Sequence, residues 1–468
     1  MRVAIVGMGY VGLVTAAGLA EWGHEVLGIE ANPDRLDVLR DGRLPIHEPG
    51  LDGLIARHLA GHRIIFAADA RQISSVEVVI VAVGTHDGNG GWQTDTIRRC
   101  LDDIVPRLAD DAVLVIRSTM PPEFLPSLAG LVDGLRAAAG RPPLPVMINP
   151  EFTREGSAVQ DFLFPDRVVV GIVRDDFGAG ARTLGTLYRS VDAPFITMTA
   201  ADAVLTKLGS NLFLATKISF ANELAALCDE FGADVTAVVD AMGRDPRIGA
   251  SFLRAGVGFG GSCLPHQVSM TIRSAAQRSL DTPLLRAVDT INHDQRTLFV
   301  DRLAAALGGT VAGRRVALLG LTFKPGTDDL RDAPALSIAL TLLDRGADVV
   351  AYDPMASARE ATRRILPALH VADDLWSTLR DADAIGLVTE WPEFTQLDWA
   401  KVRTVTRGSA VVDGRNALDP SAITAAGFRY TSFGRMSAPL RAPLDAELSR
   451  RRSASRRFDQ SVLRAAVD

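Results

Sequence analysis

The run Gly7-Met8-Gly9-Tyr10-Val11-Gly12 follows the β-branched stretch Val3 to Val6 without a break and opens an apolar helical stretch. No other feature of the chain constrains its fold as much. In this setting one glycine permits a tight turn, a second lets the backbone approach a pyrophosphate, and a third lets the new helix pack on its strand. The helix N-terminus then meets the phosphate charge. Gly7, Gly9, Val11 and Gly12 are therefore the expected seat of a dinucleotide; a glycine turn that serves only strand–helix packing is the weaker reading. The next strand pattern ends at Glu30, whose carboxylate can accept hydrogen bonds from ribose hydroxyls and would repel a 2′-phosphate. NAD is favoured over NADP. Arg35 leaves three options open: accommodating a phosphate, pairing with Glu30, or stacking on adenine.

The β-branched runs Val3–Val6, Glu25–Ile29, Val78–Val83, Val113–Ile116, Val146–Ile148 and Val168–Val173 alternate with helical stretches, which predicts a parallel sheet in an α/β domain. Thr199-Ala200-Ala201-Asp202 then reads as a capping-box start, and apolar residues recur at helical spacing as far as Gly232, a C-cap residue. Strand signals return at Arg315–Leu321, Asp348–Tyr352, Ala384–Val388 and Ala410–Val412. The expected fold class is α/β: two Rossmann-like, doubly wound domains joined by a long central helix. The expected boundaries are 1–198, 199–300, 301–441, and a polar, Arg-rich mobile tail at 442–468. A length of 468 residues with 47% hydrophobic content is ample for several cores.

Fifty Lys and Arg against 56 Asp and Glu give a net charge of -6, with no basic field to hold nucleic acid. The apolar run at residues 76–83 falls far short of the roughly 20 residues that cross a bilayer, so no membrane span is expected. Met1-Arg2 leads straight into a strand pattern rather than a signal peptide, so the expected compartment is the cytoplasm. Cys100, Cys228 and Cys263 show no metal-ligand spacing, and no metal site is expected.

Gly256-Val257-Gly258-Phe259-Gly260-Gly261-Ser262-Cys263 sets four glycines just before a thiol, which points to a backbone that approaches a ligand closely and to Cys263 as a candidate nucleophile. Cys100 and Cys228 lie in helical contexts and read as small buried apolar groups. Lys207 and Asn211 are four apart and share a helix face, with Asn222 near the same stripe; they line a site, or they are a snorkelling lysine and core amides. Asn149-Pro150-Glu151-Phe152-Thr153-Arg154-Glu155 ends a strand and, if its turn is helical, aims both carboxylates one way, for acid–base work or hydroxyl binding rather than mere surface solvation. Lys324, Arg331 and Arg415 stand near predicted strand ends, where an anionic, phosphate-bearing ligand would fit; singly, each is more often a surface charge.

Together these segments resemble the UDP-glucose/GDP-mannose dehydrogenase family over nearly everything up to about residue 435. The carrying segments are Gly7–Gly12, Pro45-Ile46-His47-Glu48-Pro49-Gly50-Leu51, Asn149–Gly156 continuing to Pro165-Asp166-Arg167-Val168-Val169, Arg247-Ile248-Gly249, Gly258–Cys263, Phe323–Arg331, Tyr352-Asp353-Pro354 and Asp413-Gly414-Arg415-Asn416. Arg247-Ile248-Gly249 with Phe252-Leu253 is more like the UDP-glucose branch. The resemblance implies a four-electron oxidation of a nucleotide-sugar C6 alcohol to the uronate, with two NAD molecules and a Cys263 thiohemiacetal and thioester. Lys207 and Asn211 would stabilise oxyanion character, Glu151 would assist thioester hydrolysis, and Thr119 would help place a water. Glu30, Arg35, Thr85, Thr119, Glu155, His266 and Arg331 would contact NAD. Glu151, Phe152, Thr153, Arg154, Glu155, Lys207, Asn211, Phe252, Leu253, Arg254, Ala255, Gly256, Gly260, Lys324 and Arg415 would contact the UDP-sugar, and Arg247 would reach it from a neighbouring subunit. The helix from Thr199 would be the core of a homodimer, and the C-terminal α/β domain would grip UDP.

The sequence departs from the family pattern directly after the thiol. The pattern has Lys and Asp where His266 and Gln267 stand. An imidazole does not carry the permanent positive charge of a lysine, which weakens cofactor attraction, and an amide cannot act as a base. Losing a general base costs about 10²- to 10⁴-fold in rate. These positions leave open an attenuated or silent member, or one acting on an unusual nucleotide sugar; a two-electron hydroxyacid dehydrogenase would give Cys263 no role. Lesser departures are His86, where the pattern has proline, and Met120-Pro121-Pro122 after Thr119.

Overall fold

Val78–Val81 and Val113–Ile116 are buried at every position, as strands covered on both faces must be. In the computed structural model these runs lie at the centre of an eight-stranded sheet. The structure describes residues 1–85 and 91–435, so His86 and the Arg-rich segment 442–468 lie outside the described residues. It divides into two compact units, Met1–Asn211 with Ser269–Arg278, and Leu212–Val268 with the described residues from Ser279 onward.

The first unit contains β1 (Arg2–Val6), α1 (Tyr10–Glu21), β2 (Glu25–Ile29), α2 (Pro33–Arg40), α3 (Leu51–Ala60), β3 (Ile64–Ala67), β4 (Val78–Val81), α4 (Thr94–Ile104), β5 (Val113–Ile116), α5 (Leu125–Ala138), β6 (Val146–Ile148), α6 (Ala158–Leu163), β7 (Val168–Arg174), α7 (Ala179–Leu187) and β8 (Phe195–Thr199). The strand order is β3-β2-β1-β4-β5-β6-β7-β8. Val3 and Ile5 join the apolar cluster on one face of the sheet, Ala4 and Val6 the cluster on the other, because side chains alternate along a strand. The sheet is thus wound on both sides. Order reverses between β1 and β4, which opens a crevice beyond the strands' carboxyl ends.

The expected parallel sheet holds except at one pair: β7 runs antiparallel to β6, with Ile148 opposite Gly171. The segment joining them therefore leaves and re-enters at the same edge, so residues 149–167 stay at the carboxyl edge of the sheet. Strands β3 and β8 carried no clear sequence signal. Both are edge strands, and β8 has no residue buried on either face, so alternation is lost.

The long helix α8 (Ala200–Phe231) has 32 residues and begins and ends as its sequence predicts. Thr199 Oγ1 accepts from Asp202 N at 3.2 Å and donates to the Asp202 carboxylate at 2.7 Å. Gly232 terminates it with φ +72°, a conformation that favours glycine. After it come α9 (Val235–Gly243), α10 (Leu264–Ala276) and α11 (Pro283–Ala306). The second unit's sheet is built from β9 (Arg315–Leu319), β10 (Asp348–Tyr352), β11 (His370–Val371), β12 (Ala384–Leu387), β13 (Ala410–Asp413) and β14 (Arg429–Ser432), with α12 (Pro334–Asp344) between β9 and β10. All its pairs are parallel, in the order β11-β10-β9-β12-β13-β14, which repeats the pattern of the first unit's first six strands. Two α/β sheets linked through a long helix are the fold class expected from the sequence. Among the described residues no helix is long and apolar enough to cross a membrane.

Candidate active site

The three fingerprint glycines have three separate reasons. Gly7 has φ +98°, and a Cβ on it would lie 2.9 Å from the Ala82 carbonyl oxygen. A Cβ on Gly12 would lie 1.9 Å from the Gly7 carbonyl oxygen, so only glycine lets α1 close onto its turn. A Cβ on Gly9 would meet nothing within 4 Å. That open side is where a pyrophosphate can reach the backbone, so these residues fit a dinucleotide. At the end of β2, Glu30 is buried and its two oxygens accept from Met8 N at 3.2 Å and Asn32 N at 2.9 Å. Its carboxylate is thereby aimed before any ligand arrives. Arg35 Nη1 lies 3.8 Å from Glu30, so of the three readings of Arg35 the pairing is the one this structure contains. Thr85 Oγ1 donates to the Thr119 carbonyl at 2.6 Å, which ties the loop after β4 to the loop after β5.

Beyond β6 the chain is not helical from Glu151 to Arg154, which corrects the expectation that Glu151 and Glu155 share a helical face. Glu151 bends its own backbone instead: Oε2 accepts from Thr153 N at 2.7 Å and from Thr153 Oγ1 at 2.6 Å. Its other oxygen receives Lys207 Nζ at 2.7 Å, with both side chains under a tenth exposed. Burial pushes the Glu151 carboxyl up, but the Lys207 charge and hydrogen bond, with Thr153's, hold it at about 2. Lys207 also lies 5.5 Å from the Phe152 ring centroid. Arg154 is exposed and engaged with Asp161 at 2.6 Å. Lys207 and Asn211 are both buried, one helical turn apart on α8.

Asn222 does not continue that stripe as a site residue. Within the second unit its Oδ1 accepts from Gly256 N at 2.7 Å. The glycine loop is fastened elsewhere too: Val257 N donates to the Gly414 carbonyl, Phe259 exchanges two hydrogen bonds with the Asn292 amide, and Gly261 N donates to the Arg331 carbonyl. A Cβ on Gly256, Gly258 or Gly260 would come within 2.4 Å of Gly414 O, Asn292 Oδ1 or Asp332 O. These glycines are therefore accounted for by the protein's own close contacts, where the sequence suggested close approach to a ligand. Arg415 belongs to the same scaffold. Its guanidinium donates to the carbonyls of Val388 at 2.7 Å, Gly258 at 2.9 Å and Phe323 at 3.1 Å, holding the loop after β9 against the glycine loop.

That scaffold delivers Cys263 to the start of α10, where its carbonyl accepts the first helical bond from Gln267 N at 3.0 Å. Helix N-terminal amides favour negative charge at such a position. Ser262 Oγ lies 3.7 Å from the thiol sulfur. His266 is partly exposed and Gln267 is buried in the first turn of α10. Leu253 and Ala255 are core residues, so they offer a ligand backbone rather than side chain, whereas Phe252 and Arg254 are not fully buried. Phe252 holds φ +64°, a strained conformation for an aromatic residue. Lys324 stands 5.4 Å from the Phe323 centroid, Arg331 grips Asp329 with two nitrogens, and Arg247 is largely exposed on Asp245.

Sequence reasoning missed Glu48 and Asn292 as organisers of these loops. Neither carries a spacing signal, since each acts on backbone remote in sequence.

Models of the UDP-glucose/GDP-mannose dehydrogenase family match the chain in three stretches: the NAD binding domain over residues 1–192, the central domain over 201–294 and the UDP binding domain over 317–420. The chain is 40% identical over 442 residues to a UDP-glucose 6-dehydrogenase of Pseudomonas aeruginosa, covering 93% of this chain and 98% of that one. It is 35% identical to the Rhizobium meliloti UDP-glucose 6-dehydrogenase, covering 93% and 100%. Its fold is similar to that of a UDP-glucose dehydrogenase from Pyrobaculum islandicum, with a TM-score of 0.83, 35% identity and coverage of 93% and 98%.

Proposed function

The chain belongs to the UDP-glucose/GDP-mannose dehydrogenase family, and on that premise we propose that it oxidises the C6 alcohol of UDP-glucose to the carboxylate in two steps, giving UDP-glucuronate. The observation that carries this reading is a thiol, Cys263, at the N-terminus of α10 in a chain whose likeness to UDP-glucose 6-dehydrogenases spans 93% of its length. NAD bound at the Gly7–Gly12 turn supplies the hydride acceptor for each oxidation. The Cys263 thiolate adds to the C6 aldehyde and forms a thiohemiacetal. Loss of a hydride and a proton from that adduct leaves a thioester, and water cleaves it to the carboxylate and the thiol. Lys207 and Asn211 stabilise charge on the reacting oxygen. Glu151, with its carboxyl at about 2, is too weak a base to take a proton outright and orients the water by hydrogen bonding, with Thr119. Glu30, Arg35, Thr85, Glu155, His266 and Arg331 contact NAD. Phe152 to Arg154, Phe252 to Gly256, Gly260 and Lys324 contact the UDP-sugar, with Arg415 supporting their loops.

The three-part division at about residues 199 and 301 is part of this proposal, as are a cytoplasmic location and a homodimer through α8. Leu205, Phe213, Phe220, Leu227 and Phe231 recur along α8 at steps of four, seven or eight and are all about half exposed or more, an apolar stripe that supports a second copy as its cover. Arg247 then reaches the partner's substrate.

The test is NADH formation from UDP-glucose: two NADH per sugar are expected. An absence of NADH from a panel of UDP- and GDP-sugars would end the proposal. The buried, neutral Gln267 favours a second reading, in which hydrolysis is slow and the thioester accumulates. Mass spectrometry of the protein after turnover would detect acylated Cys263, and an unmodified thiol with full uronate yield would exclude that reading.

A further inference from the structure

Glu48 is 1% exposed, yet among the described residues it has no lysine or arginine partner. A carboxylate so buried persists only where its oxygens are engaged by good donors. Glu48 has three. Oε2 accepts from Gly156 N at 2.6 Å and from the Tyr10 hydroxyl, and Oε1 accepts from Ala158 N at 2.7 Å. Gly156, at φ +80°, lies two residues before Ala158, so one turn presents both amides to the same carboxylate.

The donors come from two segments with different tasks. Tyr10 is the first residue of α1 and sits inside the Gly7–Gly12 turn. Gly156 and Ala158 close the segment that carries Glu151 and Glu155. Burial, then Glu48 itself and, less strongly, Glu155, push the Tyr10 phenol far above its ordinary range, so it stays a donor at any working pH. Glu151 is anchored separately by Thr153 and Lys207, so Glu48 governs the Glu155 end of the segment.

We propose that Glu48 is a positioning residue for cofactor binding, which locks Tyr10 to the Gly156–Ala158 turn and so sets the dinucleotide turn and Glu155 in mutual register. The proposal rests on the reading above that Glu155 contacts NAD. It acts through backbone and phenol, not by touching the reacting atoms. Glutamine in its place would aim an NH₂ group at a backbone N–H or at the phenol, leaving a buried donor without an acceptor.

The experiment is a fluorescence titration of the full-length protein with NADH, without sugar, for the unaltered chain, Tyr10→Phe, Glu48→Gln and the double variant, each with its unfolding midpoint. Glu48→Gln is expected to weaken NADH binding by about tenfold or more, the scale of one charge-assisted hydrogen bond. Tyr10→Phe should weaken it by about threefold to tenfold while its midpoint barely moves, and the double variant should be no worse than Glu48→Gln alone. If Glu48→Gln does not fold, Tyr10→Phe decides by itself. Affinities equal to the unaltered chain's, or losses that simply multiply, overturn the proposal. Tight NADH binding with no oxidation of any nucleotide sugar would sink the catalytic reading and leave this one standing; an unaltered chain that fails to bind NADH would sink both.

Discussion

Replacing Lys207 by methionine would leave the Glu151 carboxylate buried with its cation removed. In the intact pair, burial pushes that carboxyl up and Lys207 and Thr153 more than reverse it, from an ordinary 4.5 to about 2. The gap corresponds to roughly 3 kcal/mol. Because the folded-state value is depressed, this contribution is fully present above about pH 4.5 and fades as pH falls through about 2. Lys207→Met inverts the sign. With the ammonium gone burial dominates, the folded-state value lies above the unfolded one, and the penalty is absent below about pH 4.5 and grows as pH rises. Breaking one partner of a buried pair costs about 3–5 kcal/mol at neutral pH, or roughly 6–20 °C in the unfolding midpoint of a unit this size. Thermal unfolding should show a loss at both pH 4.5 and pH 7.5, larger at the second, where the penalty of the unpaired buried carboxylate adds to the lost contribution of the pair. Adding Glu151→Gln, which makes both sides neutral, should recover most of it. An equal loss at both pH values, with no recovery in the double variant, would show that the lysine stem's packing matters here and its charge does not.

Gly258→Ala combines φ +89° with a Cβ only 2.4 Å from Asn292 Oδ1, so denaturant unfolding should show a loss of about 3 kcal/mol or more and calorimetry a loss of UDP-glucose binding. Gly130→Ala, inside α5 with nothing within 4 Å, should instead stabilise by about 0.5–1 kcal/mol in the same assay. Phe220→Asp with Leu227→Asp places charge on the exposed α8 stripe and should give monomers in analytical ultracentrifugation; a dimer that survives both changes removes α8 as its core. His266→Lys with Gln267→Asp should raise steady-state NADH formation by about 10²-fold or more if the missing base limits the rate, and unchanged turnover would show that it does not.

What the sequence determined by itself was whatever depends on neighbours a few residues apart. The Gly7–Gly12 turn, fully buried strands such as Val78–Val81, Val113–Ile116 and Ala410–Asp413, the Thr199 start and Gly232 end of α8, and the shared face of Lys207 and Asn211 all follow from periodicity, capping and φ preference. The dinucleotide site and the α/β class were legible for that reason. The tertiary structure decided what depends on groups far apart in the chain. It turned β7 antiparallel to β6 and kept the Glu151 segment at the carboxyl edge. It assigned Asn222 and Arg415 to the glycine loop, and it filled the space beside Gly256, Gly258 and Gly260 with backbone and amide from elsewhere. It also set Glu48 on the amide of Gly156, 108 residues away. A buried polar side chain must find its partners wherever the fold brings them, and no local pattern encodes that distance.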